Sequence, residues 1–177
     1  MYTNIFYDFF DADDYKSFIR HVLKQFRTSQ EYLIWLNSFN RDKCAATGLT
    51  KDGDGVQIEV HHFRITLWEW VEHILDKFNQ YQLPVNSFYV CLILNDIHFN
   101  RCVPCVPLNH CIHKMIHENY DDTIARYPSI LENVWPGDIN KADQIIEYHL
   151  NLLKERINIE RELLNNEKKK NENGIYS

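Results

Sequence analysis

Seven of the nine histidines fall between His61 and His117. Imidazole titrates near neutral pH and is the commonest protein ligand for transition metals, so such a concentration points to metal binding, proton transfer or both. His113 and His117 are four apart, which stacks them on one face of a helix, and His110 lies a turn earlier on the same side. Two helical imidazoles and a third from elsewhere can hold a divalent ion and leave coordination positions open for phosphate and water. His61 and His62 are adjacent, and neighbouring strand residues face opposite ways, so one can ligate the ion while the other deprotonates water. The chemistry these spacings suggest is metal-assisted hydrolysis.

The elements around them are legible from periodicity. Val56, Ile58 and Val60 alternate with Gln57, Glu59 and His61, the period of a half-buried strand ending on the His-His pair. Val103 to Leu108 is bounded by prolines and suits a second extended segment at 103–107; a helix over 109–119 then presents the spaced histidines. Between strand and strand lie Thr66-Leu67-Trp68-Glu69, a capping box that opens a helix to about Asn79, and Ser87 to Phe99, apolar nearly all round and long enough to be a buried helix. Upstream, acidic residues from Asp11 to Asp14 open one helix, and Thr28-Ser29-Gln30-Glu31 reads as the capping box of another. Five aromatics within residues 1–10 suggest an extended arm. Downstream, Ile146, Leu150, Leu153, Ile157 and Leu164 mark a long helix over about 138–172, with a fraying tail from Glu167 and a stripe suited to a protein partner or to self-association. The expected architecture is α+β and mainly helical. It has an N-terminal arm and helices (1–40), a ββα core at 41–120 with a helical insertion at 64–102, and a linker with a long C-terminal helix (121–177).

At these residues the sequence resembles the HNH family of ββα-metal nucleases and is similar to phage-encoded HNH-like proteins. The resemblance is carried by Cys44 to Gly48, Val60-His61-His62, Val106-Pro107-Leu108 and His113-x-x-x-His117, and covers about 75 of the 177 residues. It implies a divalent-metal-dependent endonuclease acting on DNA, with RNA as an alternative substrate, and an ion such as Mg2+, Mn2+, Ni2+ or Zn2+. It makes His61, His113 and His117 the metal ligands and His62 the general base. The family's central asparagine should fall near position 104, which is Pro. The nearest candidates are Asn100 and Asn109, and Asn109 is assigned the orienting role. The rival reading is a non-catalytic interaction module on a degenerate HNH-like fold.

Other features weigh less. Cys102-x-x-Cys105 has metal-knuckle spacing but lacks a partner pair, so core packing is the preferred reading. Asp52-Gly-Asp-Gly55 lacks the acidic residue a calcium loop would need and reads as a turn. His98 is either a core histidine or part of a second site and is assigned no role, while His21, His73 and His149 read as surface. The net charge of −6 provides no global attraction for nucleic acid, so any such site must be local. An odd number of cysteines (5) suggests reduced thiols, and no apolar run reaches the roughly 18 residues of a membrane span. The expected setting is the cytoplasm.

Overall fold

A computed structural model describes residues 11–39 and 41–173, with side chains through residue 166. The aromatic arm expected at 1–10 lies outside the described residues. Two helices come first, α1 (Ala12–Arg27) and α2 (Gln30–Ser38), followed by a turn-rich loop holding the short α3 (Lys51–Asp54). Strand β1 (Ile58–His62) leads into α4 (Leu67–Gln80) and α5 (Ser87–Phe99), and β2 (Cys105–Asn109) runs directly into α6 (His110–Glu118). Two short helices, α7 (Tyr120–Arg126) and α8 (Ser129–Glu132), precede the 35-residue α9 (Ile139–Asn173). The fold is mostly helical with one small open sheet.

Local chemistry accounts for the helix boundaries. The Asp11 carboxylate accepts from the Asp13 and Asp14 amides at 2.8 Å, satisfying donors that α1 cannot use internally. Thr66 and Glu69 form the reciprocal capping box expected for α4. At α2 the cap is Ser29 and not Thr28: the Ser29 hydroxyl accepts from the Tyr32 amide, while Thr28 closes α1 by donating to the Lys24 carbonyl. Asp52 to Asp54 belong to a single helical turn capped by Thr50, with Gly55 left-handed at its end. The C-terminal helix continues through the segment expected to fray.

The main core is made by α1, α4, α5 and α9. Ile19, Val22 and Phe26 meet Trp70, Val71 and Phe78, together with Ile93, Leu94 and Ile97 and, from α9, Ala142, Ile146 and Leu150. Each fully buried large side chain contributes roughly 1.5–3 kcal/mol. Helix α5 departs from expectation: Val90, Ile93, Leu94 and Ile97 are sealed in the core, but Phe88 (73% exposed), Leu92 and Phe99 face solvent.

The strands β1 and β2 pair antiparallel, with Ile58 opposite Asn109 and His62 opposite Cys105. The second strand lies two residues later than the 103–107 read from its prolines. Pro107 is tolerated because a two-stranded sheet consists of edges, where a missing donor disrupts no inner ladder, and its carbonyl accepts from the Ala45 amide at 2.8 Å. Helix α6 packs back on both strands over a smaller core of Cys44, Ile58, Phe63, Val106, Leu108, Ile112, Ile116 and Ile130. This order is compatible with a ββα-metal core. Gly137 secures the start of β2, since a Cβ there would stand 2.5 Å from the Cys102 carbonyl oxygen and 2.7 Å from Pro104 N. Only glycine permits this approach, which lets the Asp138 amide donate to the Cys102 carbonyl at 2.9 Å.

Candidate metal centre

Two elements, β1 and α6, bring His61, His113 and His117 together. Strand alternation puts Glu59 and His61 on the same side of β1, and the helical repeat puts His113 and His117 on the same side of α6. The ring centroids form a nearly equilateral triangle with sides of 5.0, 4.9 and 4.8 Å. One ligand atom from each lies within 4.8 Å of the other two, and the Nε2 atoms of His113 and His117 are 3.2 Å apart. Ligands about 2.1 Å from a shared ion stand roughly 3–3.5 Å from one another, so a modest side-chain adjustment closes the set. His61 is buried, His113 half-buried and His117 exposed, which gives the group a protein-covered side and a solvent side.

The protonation state suits the same use. Burial, then the charges of His113 and His117, push His61 down to about 3; burial, then His113, also lowers His117. Metal ligation needs neutral imidazoles, so near pH 7 little proton competition remains.

Glu59 was not singled out in the sequence and is the group that orients this cluster. Its carboxylate accepts from His113 Nδ1 through one oxygen and from His110 Nδ1 at 2.9 Å through the other. Burial opposes its ionisation, but the bonds from His110 and His113 outweigh that and leave the carboxyl below its usual range. Engaging Nδ1 of His113 directs Nε2 toward the cluster, the familiar carboxylate–histidine arrangement behind metal ligands. The signal was available in the strand, two residues before His61. His110, at the helix start, serves Glu59.

His62 lies on the opposite side of β1, as alternation requires. Its ring is half-buried and stacks on Trp35 at 6.3 Å, while its Nε2 lies 3.1 Å from Nε2 of His98. Burial, then the charges of His98 and Arg27, hold it well below the usual imidazole range, so it is neutral at pH 7. His62 and the three clustered histidines nevertheless line one cleft of about 640 Å3, whose walls also carry Arg27, Tyr32, Arg41 and Trp68. The arginines supply the local positive charge that the overall composition lacks.

Asn109 does not reach His62. It caps α6, accepting from the Ile112 amide at 3.0 Å and donating to Thr47 Oγ1 at 3.2 Å. It pairs with Ile58 at the far end of the strands, four residues from the partner of His62, a separation of about 13 Å. Asn100 is likewise tied to its own helix through Asp96. The Cys44 to Gly48 motif is a docking loop: Cys44 is buried, Thr47 meets Asn109, and Ala45 pairs with Pro107.

His149 is not the surface residue expected: it is buried and bonded to Asp96 at 2.8 Å. His73 lies at the surface, its side chain 38% exposed, and bonds Asp143 at 2.6 Å, so both pin α9 to the body. Cys102 and Cys105 are fully buried core thiols, and among the described residues the three-histidine group is the one cluster able to hold a metal.

A family model described as bacteriophage G278-like virion protein matches residues 2–175. The chain belongs to that family. No curated protein and no solved structure matches it. Membership in the G278-like family agrees with the similarity to phage-encoded proteins and carries no HNH identity. What stands for this chain is a histidine group able to chelate a divalent ion, set in a strand–strand–helix frame. No described helix is long and apolar enough to cross a membrane.

Proposed function

We propose that the protein is a divalent-metal-dependent, HNH-type endonuclease that hydrolyses DNA phosphodiester bonds. The observation that carries this reading is one cleft containing a three-imidazole ligand set, a fourth neutral imidazole and two arginines. An ion held by His61, His113 and His117 would neutralise charge on the phosphate and on the departing 3′-oxygen. Arg27 and Arg41 pair with the phosphate backbone and set the register of the strand. His62 accepts a proton from water as the water oxygen bonds to phosphorus. The P–O3′ bond breaks, giving a 5′-phosphate and a 3′-oxygen that solvent protonates. RNA is the alternative substrate, since the same chemistry does not involve the ribose 2′-hydroxyl. The five free thiols, four of them buried, suit a reducing host cytoplasm as the place of action.

The test is nicking of supercoiled plasmid in Mg2+, Mn2+, Ni2+ or Zn2+, comparing wild type with His62→Ala. Nicking by wild type that falls at least 100-fold in the variant supports the proposal; no nicking in any metal, or equal nicking by both, refutes it.

A second reading, a metal-stapled structural component of the virion, is favoured by the far part of α9. Beyond Ile157 every described side chain is exposed, and Ile159, Leu163 and Leu164 are each more than half exposed. The 16 residues from Asn158 to Asn173 extend roughly 24 Å. This arm suits contact with another virion subunit or a second copy. Truncation after Ile157 that leaves oligomeric mass and particle incorporation unchanged would refute the assembly role.

A further inference from the structure

Buried on α5, within the insertion that separates the two strands, His98 is 1% exposed and makes two bonds that together dictate the state of His62. Its Nδ1 lies 2.6 Å from the Leu94 carbonyl oxygen, and its Nε2 lies 3.1 Å from Nε2 of His62. A carbonyl oxygen can only accept, so Nδ1 of His98 carries the hydrogen. A neutral His98 then offers a lone pair at Nε2. His62 and His98 are outside the metal-holding group, and without a cation between them two lone pairs cannot face each other at that distance, so Nε2 of His62 must donate. The remaining nitrogen of a neutral His62, Nδ1, is left as its only proton acceptor.

The surroundings hold this relay in place. The His98 ring stands edge-on to Trp35 with centroids 4.7 Å apart and is packed by Phe26 at 4.9 Å and Tyr32 at 6.5 Å. Trp35 also stacks on His62, so one indole clamps both imidazoles. An aromatic enclosure around two hydrogen-bonded rings leaves them few alternative orientations, and separating them would strand buried polar atoms. Asn109, bound to Thr47 and Ile112, is unavailable for this task.

We infer that His98 is the positioning residue for His62, holding it as the Nε2–H tautomer so that Nδ1 is the atom available to accept a proton from water. This inference rests on the hydrolytic reading above for its functional meaning, but the tautomer itself can be measured without any substrate.

The experiment is long-range 1H–15N correlation NMR of the imidazole rings at pH 7.5, on wild type, His98→Leu and His98→Gln. Leucine keeps the bulk and removes the acceptor, whereas the glutamine Oε1 can replace Nε2 as acceptor. The expected result is a single Nε2–H tautomer of His62 in wild type and His98→Gln, and mixed tautomers in His98→Leu. Plasmid nicking should follow, with kcat about tenfold lower in His98→Leu, KM unchanged, and recovery in His98→Gln. An Nδ1–H tautomer in wild type overturns the inference, and this arm stands even if a variant does not fold. A His62 tautomer indifferent to His98→Leu also overturns it, without touching the nuclease proposal. The expected tautomers in a protein that cuts no phosphodiester bond would uphold the positioning of His62 and overturn the hydrolytic reading alone.

Discussion

His61 and His62 share a strand and a backbone, yet they belong to two unlike imidazole groups. On one side of β1, His61 joins His113 and His117 under a carboxylate, with a route to solvent. On the other, His62 joins His98 among Trp35, Tyr32 and Phe26, and among the described residues its bonded and stacked neighbours include no carboxylate. The first group has three nitrogen donors and an anion to orient them, the composition a cation needs. The second has two rings bonded to each other and a backbone carbonyl, the composition that fixes a tautomer. One residue of offset along a strand therefore separates chelation from proton handling.

The largest effect should come from emptying the first group. His113→Ala with His117→Ala should abolish high-affinity binding of Zn2+ or Mn2+ in calorimetric titration. It should also remove the metal-induced rise in Tm, which for wild type at a hundredfold excess over Kd corresponds to about 2.7 kcal/mol. Unchanged binding would place the ion elsewhere. Glu59→Gln should be milder, lowering metal affinity roughly 10- to 100-fold while leaving the fold intact, because the glutamine amide cannot hold His113 Nδ1–H as a carboxylate does. An affinity within twofold of wild type would show that Glu59 does not orient the cluster.

The second group should reveal itself through pH. Burial pushes His98 down to about 4, the Leu94 carbonyl opposing only part of that shift. The unfolded chain therefore binds a proton below about pH 6.5 that the folded chain refuses until about pH 4. Stability from this group is fully present above 6.5 and falls with decreasing pH across that window, by about 1.4 kcal/mol per pH unit. Denaturant titrations of wild type and His98→Gln from pH 7.5 to 4 should show a shallower loss in the variant; parallel curves would contradict it. The smallest effect should be that of Asn109→Ala, which removes the α6 cap at about 1 kcal/mol and leaves the His62 tautomer unchanged. A changed tautomer would restore the orienting role that the HNH resemblance assigned to Asn109.

How far the sequence could be read follows from the range of the forces involved. Periodicities of 2 and 3.6 are local, so β1 and the helical face of His113 and His117 were visible, as was the opposition of His61 to His62, whereas α5, apolar nearly all round, did not announce which of its sides would face solvent. Cap choice between Thr28 and Ser29 depends on where one helix stops and the next begins, which composition alone leaves open. Glu59 already stood in the alternation, two residues before His61, and could have been assigned to the face of that histidine. His98 could not: nothing in an apolar helix announces that its one imidazole will meet another 36 residues away. The burial of His149 was hidden for the same reason, since its partner Asp96 is 53 residues distant.

The most direct test of the account is a crystal structure of the wild-type protein grown with Mn2+ and measured for anomalous scattering. The account predicts one strong peak per chain within about 2.3 Å of nitrogen atoms of His61, His113 and His117. A crystal with no peak there, or with its ion bound at Cys102 and Cys105, would contradict it.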